Sequence, residues 1–133
     1  MKVFGSVEKD KDNYFINFFP LDVYGDGESL ADAGAAVLQV LEVQYGIFPG
    51  EVELKATSSE AYLIILDSKL APSFILKALR NSEGLSKKQV SEKLGMKSRS
   101  AYSKYEDKNY GISFEKFSLA LKAISSKRVL ISI

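Results

Sequence analysis

From residue 2 to residue 19 the apolar positions follow the short period of strands. Residues 2–8 (KVFGSVE) and 14–19 (YFINFF) are rich in β-branched and aromatic side chains, with a turn-like KDKDN between them. They predict an antiparallel hairpin with the aromatics Phe15, Phe18 and Phe19 in the core. Pro20 ends the second run. Residues 23–29 (VYGDGES) begin a short third strand that breaks at Gly25-Asp26-Gly27. The period then lengthens. Ser29 is placed to cap a helix with Asp32 in its first turn. Leu30, Ala33, Val37, Leu41 and Tyr45, with Val40 alongside, fall on one helical face. Gly46 and Pro49 end it. Residues 61–67 (AYLIILD) are an apolar run of strand length, expected to be buried. The N-terminal order is therefore β-β-β-α-β, with the helix packed on the sheet.

Farther along, the helical period takes over. Residues 73–84 (SFILKALRNSEG) carry Phe74, Ile75, Leu76 and Leu79 and stop at Gly84. Ser86 followed by Gln89 spells a capping box. Behind it Val90 and Leu94 face inward, with small Ser91 where another helix crosses closely. Gly95 closes that helix. Ser98 caps a third helix with Ala101, Tyr102 and Tyr105 inward. KNYGI is a loop, and Ser113 caps a fourth helix carrying Phe114, Phe117, Leu121 and Ile124. Short helix, glycine turn, short helix is the order of a helix-turn-helix. Residues 127–133 (KRVLISI) read as a final short strand. Such a strand needs a backbone partner. It can fold back on its own domain. The expected partner is the same strand of a second copy, so that Val129, Leu130, Ile131 and Ile133 form a homodimer presenting two recognition helices to a palindromic operator.

Composition narrows the chemistry. The chain has 133 residues, 46% of them hydrophobic, enough for one or two small domains with real cores. It has neither cysteine nor histidine. That removes disulfides, thiolate metal sites and the commonest general base, so no cofactor, no metal and no enzyme activity are expected. The charged start and the lack of a bilayer-length apolar run lead to the expectation of a soluble cytoplasmic protein.

Charge is divided unevenly under a net +1. Residues 1–69 hold five lysines against twelve carboxylates, a balance of −7; residues 70–133 hold thirteen Lys and Arg against five carboxylates, a balance of +8. The split predicts two domains, 1–69 and 70–133, with different partners. The boundary falls in LDSKLAPS (66–73), where Pro72 biases Ala71 away from helix.

Catalytic signals are thin. Asp22, Asp26 and Glu28 cluster near a strand end and could hold a divalent cation. The Gly-Asp-Gly glycines could cradle a phosphate, but the pattern is not G-x-G-x-x-G and no P-loop lysine follows. An acidic turn leading into a helix is the plainer reading. Ser58 and Ser59 have no histidine to activate them.

Residues 74–124 resemble the Xre and phage-repressor family of helix-turn-helix proteins. The likeness is carried by SKKQV (86–90), SEKLG (91–95) and the Tyr105-Glu106 pair, while the turn MKSRSAY (96–102) is one residue longer than the usual spacing. In that geometry the start of the third helix enters the major groove, with Arg99, Ser100, Ser103 and Lys104 outward beside the capping Ser98. Arg99 suits guanine O6 and N7, and Ser100 suits either kind of base. Lys87, Lys97 and Lys108 flank them where phosphates pass. Tyr102 and Tyr105 belong to the core.

The acidic half resembles the HicB antitoxin family, through YFINFFPLD (14–22), YGDGESLADAGAAVLQVL (24–41) and YLIILD (62–67). It lacks that family's Asp-Leu-Pro-Gly-Cys-like stretch, with PLDVYG in its place. The resemblance implies an α+β protein. A truncated, non-catalytic RNase H-like domain would bind a small basic HicA-like toxin, an mRNA-cleaving ribonuclease. An all-α helix-turn-helix domain would repress the operon. Asp22, Asp26 and Glu28 are then candidate toxin contacts, and the charge split suits both partners. Two rivals stand beside this reading: a stand-alone Xre-type regulator whose N-terminal domain senses a ligand or dimerises, and a metal-dependent nuclease, which needs more converging carboxylates than these three.

Overall fold

The computed structural model describes residues 1–132, the side chain of Arg99 excepted. Its strands are β1 (Lys2–Asp10), β2 (Asn13–Asn17), β3 (Tyr24–Gly27), β4 (Val52–Ala56), β5 (Glu60–Ile65) and β6 (Ile131–Ser132). Its helices are α1 (Leu30–Tyr45), α2 (Leu70–Glu83), α3 (Lys87–Lys93), α4 (Arg99–Ser103) and α5 (Phe114–Ile124), with a 3-10 turn at Lys104–Glu106. The chain forms a mixed α+β structure of two units. One holds Met1–Phe19, Val23–Leu66 and the chain from Val129 on; the other holds Pro20–Asp22 and Asp67–Arg128. This differs from the expected 1–69 and 70–133 at the C-terminus, at the three residues after Phe19 and at residues 67–69, which fall in the second unit.

In the first unit an antiparallel sheet runs in the order β3-β2-β1-β5-β4, and β6 pairs with β1. Alternation decides its faces. Val3, Val7, Ile16, Ala61, Leu63 and Ile65 are buried on the α1 side, where Ala33, Val37 and Leu41 meet them. Their odd-even neighbours point the other way. That alternation corrects the expectation for the aromatics: Phe18 is buried, but Phe15 is 41% and Phe19 65% exposed. The glycines of the third strand are there for packing. A Cβ on Gly25 would stand 2.7 Å from Val37 N, and one on Gly27 would stand 2.6 Å from Asp32 Cβ. Their absence lets α1 lie directly on β3.

Two features of this unit were not expected. Strand β4 pairs antiparallel with β5, Leu54 opposite Leu63. Its sequence VELKA alternates, but with charged residues on the outer face and no aromatic. The terminal strand does not await a second copy. Ile131 and Ser132 lie antiparallel to Val3 and Lys2, and Phe4 N–H donates to Leu130 O at 3.0 Å. The backbone groups that needed a partner find it in β1 of the same chain. The dimer role given to Val129, Leu130, Ile131 and Ile133 thereby loses its basis; Ile133 lies outside the described residues.

The second unit is helical. Helix α2 begins at Leu70, so Pro72 stands inside its first turn instead of marking a boundary. The first turn's N–H groups have no intrahelical acceptor, so a proline there sacrifices nothing. Leu70, Phe74, Ile75, Leu76 and Leu79 are buried with Val90, Tyr102, Phe117, Ala120 and Ile124. Leu21 is buried too, and Asp22 N–H donates to Ala78 O at 3.2 Å. On α5 the inward row is Phe117, Ala120 and Ile124, while Phe114, at the first helical position, is 72% exposed.

Candidate nucleic-acid interface

Helices α3 and α4 have seven and five residues. Lengths this short do not hold by hydrogen bonding along the helix alone. Side chains at their ends supply the rest. Ser86 Oγ accepts from Gln89 N at 3.1 Å while Gln89 Oε1 accepts from Ser86 N at 2.7 Å, completing the capping box. Gly95 takes the left-handed backbone, φ 69°, that turns the chain toward α4. Ser98 Oγ then accepts from Ser100 N at 3.2 Å at the start of α4.

Ser91 fastens the turn. It is buried at the expected close crossing, and its hydroxyl donates to Ser98 O at 2.8 Å. The residue that lets the helices approach therefore also binds one to the cap of the other.

The far end of α4 is anchored by an ion pair. Arg80 of α2 meets Glu106 of the 3-10 turn in a fork: Nε to Oε2 at 2.7 Å and Nη2 to Oε1 at 2.8 Å. Arg80 Nη1 also donates to Leu85 O at 3.0 Å. The side chains are only 12% and 3% exposed. The Glu106 carboxylate raises the Arg80 pKa further above its ordinary value. Beside this pair the Tyr102 hydroxyl is buried and outside hydrogen-bond geometry with it. Burial, then the neighbouring Glu106 charge, pushes the Tyr102 phenol well above its ordinary pKa. Tyr102 packs edge-on to Tyr105, which stacks on Tyr110 at 6.0 Å. These rings fix the loop after α4.

On this frame Lys87, Lys97, Ser98, Ser100, Lys104 and Lys108 are exposed and Ser103 is half-buried. Arg99 opens α4; its side chain lies outside the described residues. The hydroxyls of Ser98 and Ser100 lie 2.8 Å apart, so Ser98 is occupied as a cap. The sequence singles out Glu106 only within the Tyr105-Glu106 pair of the resemblance, and gives no sign of Arg80, 26 residues away.

The acidic candidates do not gather. Asp22 belongs to the second unit and Asp26 to the first. Asp26 Oδ2 accepts from Asn13 Nδ2 at 3.2 Å, and Glu28 is exposed. Among the described residues no three carboxylates converge on a possible metal position. No helix among them is long and apolar enough to cross a membrane.

Residues 76–126 match the Helix-turn-helix family. The match is of the Xre and phage-repressor type, begins in α2 and ends just past α5, and lies wholly within the basic unit. It implies DNA binding by this unit and a role in transcription regulation. No curated protein matches the chain.

Proposed function

We propose that the chain is a transcription repressor that binds its operator through α3 and α4, and that its acidic unit holds a small basic ribonuclease as HicB antitoxins do. It acts by binding and not by catalysis. The observation that carries the DNA half is the helix-turn-helix match falling on two short helices locked at a serine-bound turn, with exposed lysines on and around them. Arg99 then reads a base edge, and Lys87 meets a phosphate.

The test is titration of the full chain against a duplex from upstream of its own reading frame and against a random duplex. Arg99→Ala is expected to cost about 1–3 kcal/mol on the operator and to relax preference. Lys87→Ala is expected to weaken both duplexes and to flatten the salt slope by about one ion. Equal losses on both duplexes from both substitutions would overturn the groove assignment.

The partner half rests on charge and on the resemblance of the acidic unit to a truncated RNase H-like HicB domain. Residues 1–69 carry −7, and the sheet face opposite α1 exposes Phe15, Tyr24 and Asp26, a mixed apolar and acidic surface suited to a basic protein. The helix-turn-helix match supports a stand-alone regulator equally. Co-expression with a small basic protein encoded next to the chain separates the two. Capture of a ribonuclease whose mRNA cleavage the chain suppresses favours the antitoxin. A chain that represses its operator and captures no such protein is the stand-alone regulator.

A further inference from the structure

Strand β4 is an edge of the sheet. Its partner β5 takes one set of its backbone groups: Leu66 N–H donates to Glu51 O at 3.1 Å, and Thr57 N–H donates to Glu60 O at 2.8 Å. In an antiparallel ladder hydrogen-bonded pairs recur at every second residue. Odd-numbered residues of β4 therefore face β5, and Leu54 and Ala56 turn their N–H and C=O outward. An edge of this kind is a template for another strand.

The space beside that edge is apolar. Leu54 and Ala56 line a groove of about 350 Å³ with Leu30, Ala31, Gly34, Ala35 and Leu38 of α1. The α1 flank is made of small residues there, and a Cβ on Gly34 would stand 3.3 Å from Leu54 Cδ2. On the opposite face of β4 stand Glu53 and Lys55, both exposed.

We infer that this edge pairs with the same edge of a second copy, two-fold about Leu54. That register puts Leu54 opposite Leu54 of the second copy, exchanging the two outward N–H and C=O groups. It also puts Glu53 opposite Lys55 and Lys55 opposite Glu53, in the closely spaced non-hydrogen-bonded pairs where side chains meet most directly. The neighbouring two-fold registers place Lys55 against Lys55 or Glu53 against Glu53, and like charges directly opposite destabilise a pair. A lysine on an edge strand ordinarily repels additions. Here a glutamate two residues earlier makes the edge complementary to itself. The leucines and the small-residue flank of α1 in each copy close over the apolar groove.

Sedimentation of the full chain and of charge variants tests this. The native chain is expected to dimerise. Glu53→Lys and Lys55→Glu, each alone, set like charges opposite at two places and should weaken the dimer at least about tenfold. An equimolar mixture of the two variants restores opposite charges at both places and should recover association as a heterodimer. The double swap Glu53→Lys with Lys55→Glu should recover it in one chain. This recovery also shows that the single variants are folded. A native chain that stays monomeric overturns the inference. So does a dimer that both single variants leave unchanged, which would put the contact elsewhere, and so does a mixture that fails to recombine.

Discussion

In the acidic unit α1 reaches β3 because side chains are missing, whereas in the basic unit α3 and α4 are held by polar side chains that are buried. Gly25 and Gly27 bring helix backbone against strand backbone. Ser91, Arg80 and Glu106 instead bind neighbouring elements by hydrogen bonds away from water. A sheet with a sixteen-residue helix has enough apolar face to hold itself by burial. Helices of seven and five residues do not, so directional bonds at their ends replace missing area. The same difference suits the roles. A helix pair that presents side chains to a groove needs fixed geometry, which buried and hydrogen-bonded polar groups provide.

The largest break in the comparison is expected at Glu106. Glu106→Ala leaves Arg80 buried without its partner and should cost about 3–5 kcal/mol of stability in denaturant titration. Replacing both, Arg80→Met with Glu106→Leu, should cost much less, because no uncompensated charge remains. A double variant as unstable as the single one would mean that the fork shape, and not the charge balance, holds the 3-10 turn.

The corresponding break in the acidic unit is smaller. Gly25→Ala inserts a Cβ 2.7 Å from Val37 N and 2.9 Å from Ala33 O, both backbone atoms that cannot swing aside. The helix must shift away from β3, at about 1–3 kcal/mol. Gly34→Ala, inside α1, meets only a leucine methyl at 3.3 Å and should be neutral or stabilising by up to about 1 kcal/mol, since alanine holds a helix better than glycine. Equal losses at the two positions, measured by the shift in denaturation midpoint, would show that close approach to the helix backbone does not set the tolerance of this unit.

These two sites differ in how far they could be read from the chain. The first hairpin, α1 and every serine cap followed from local pattern, since an N-cap and the N–H that donates to it lie within three residues. Ser91 was legible as small but not as a donor, because its acceptor is defined only once the turn exists. Arg80 was not legible at all. One cation among polar residues on α2 does not announce a carboxylate beyond two further helices. Strand β4 escaped although VELKA alternates, because five residues without an aromatic make a short signal. The pairing of β6 escaped because a strand's sequence does not name the edge it joins.

The smallest expected effect has the opposite sign and tests whether the buried polar set of the basic unit is complete. Tyr102 is fully buried, and its hydroxyl lies beside the Arg80–Glu106 fork without a hydrogen bond of good geometry to it. Its high pKa reflects the same burial. Tyr102→Phe keeps the ring against Tyr105 and removes only the unmatched oxygen. The missing desolvation penalty should stabilise the fold by up to about 1 kcal/mol, offset in part by the small void left behind. Denaturant titration at unchanged m-value reads this directly. A loss of stability instead would mean that the hydroxyl is bound, through an ordered water, to the Arg80–Glu106 fork. In that case Tyr102→Phe and Glu106→Ala should be non-additive, since groups sharing one network couple while separate ones do not. Additivity with a small gain keeps Tyr102 with the apolar core, so that in the basic unit directional bonds join elements while its interior is as oily as that of the sheet.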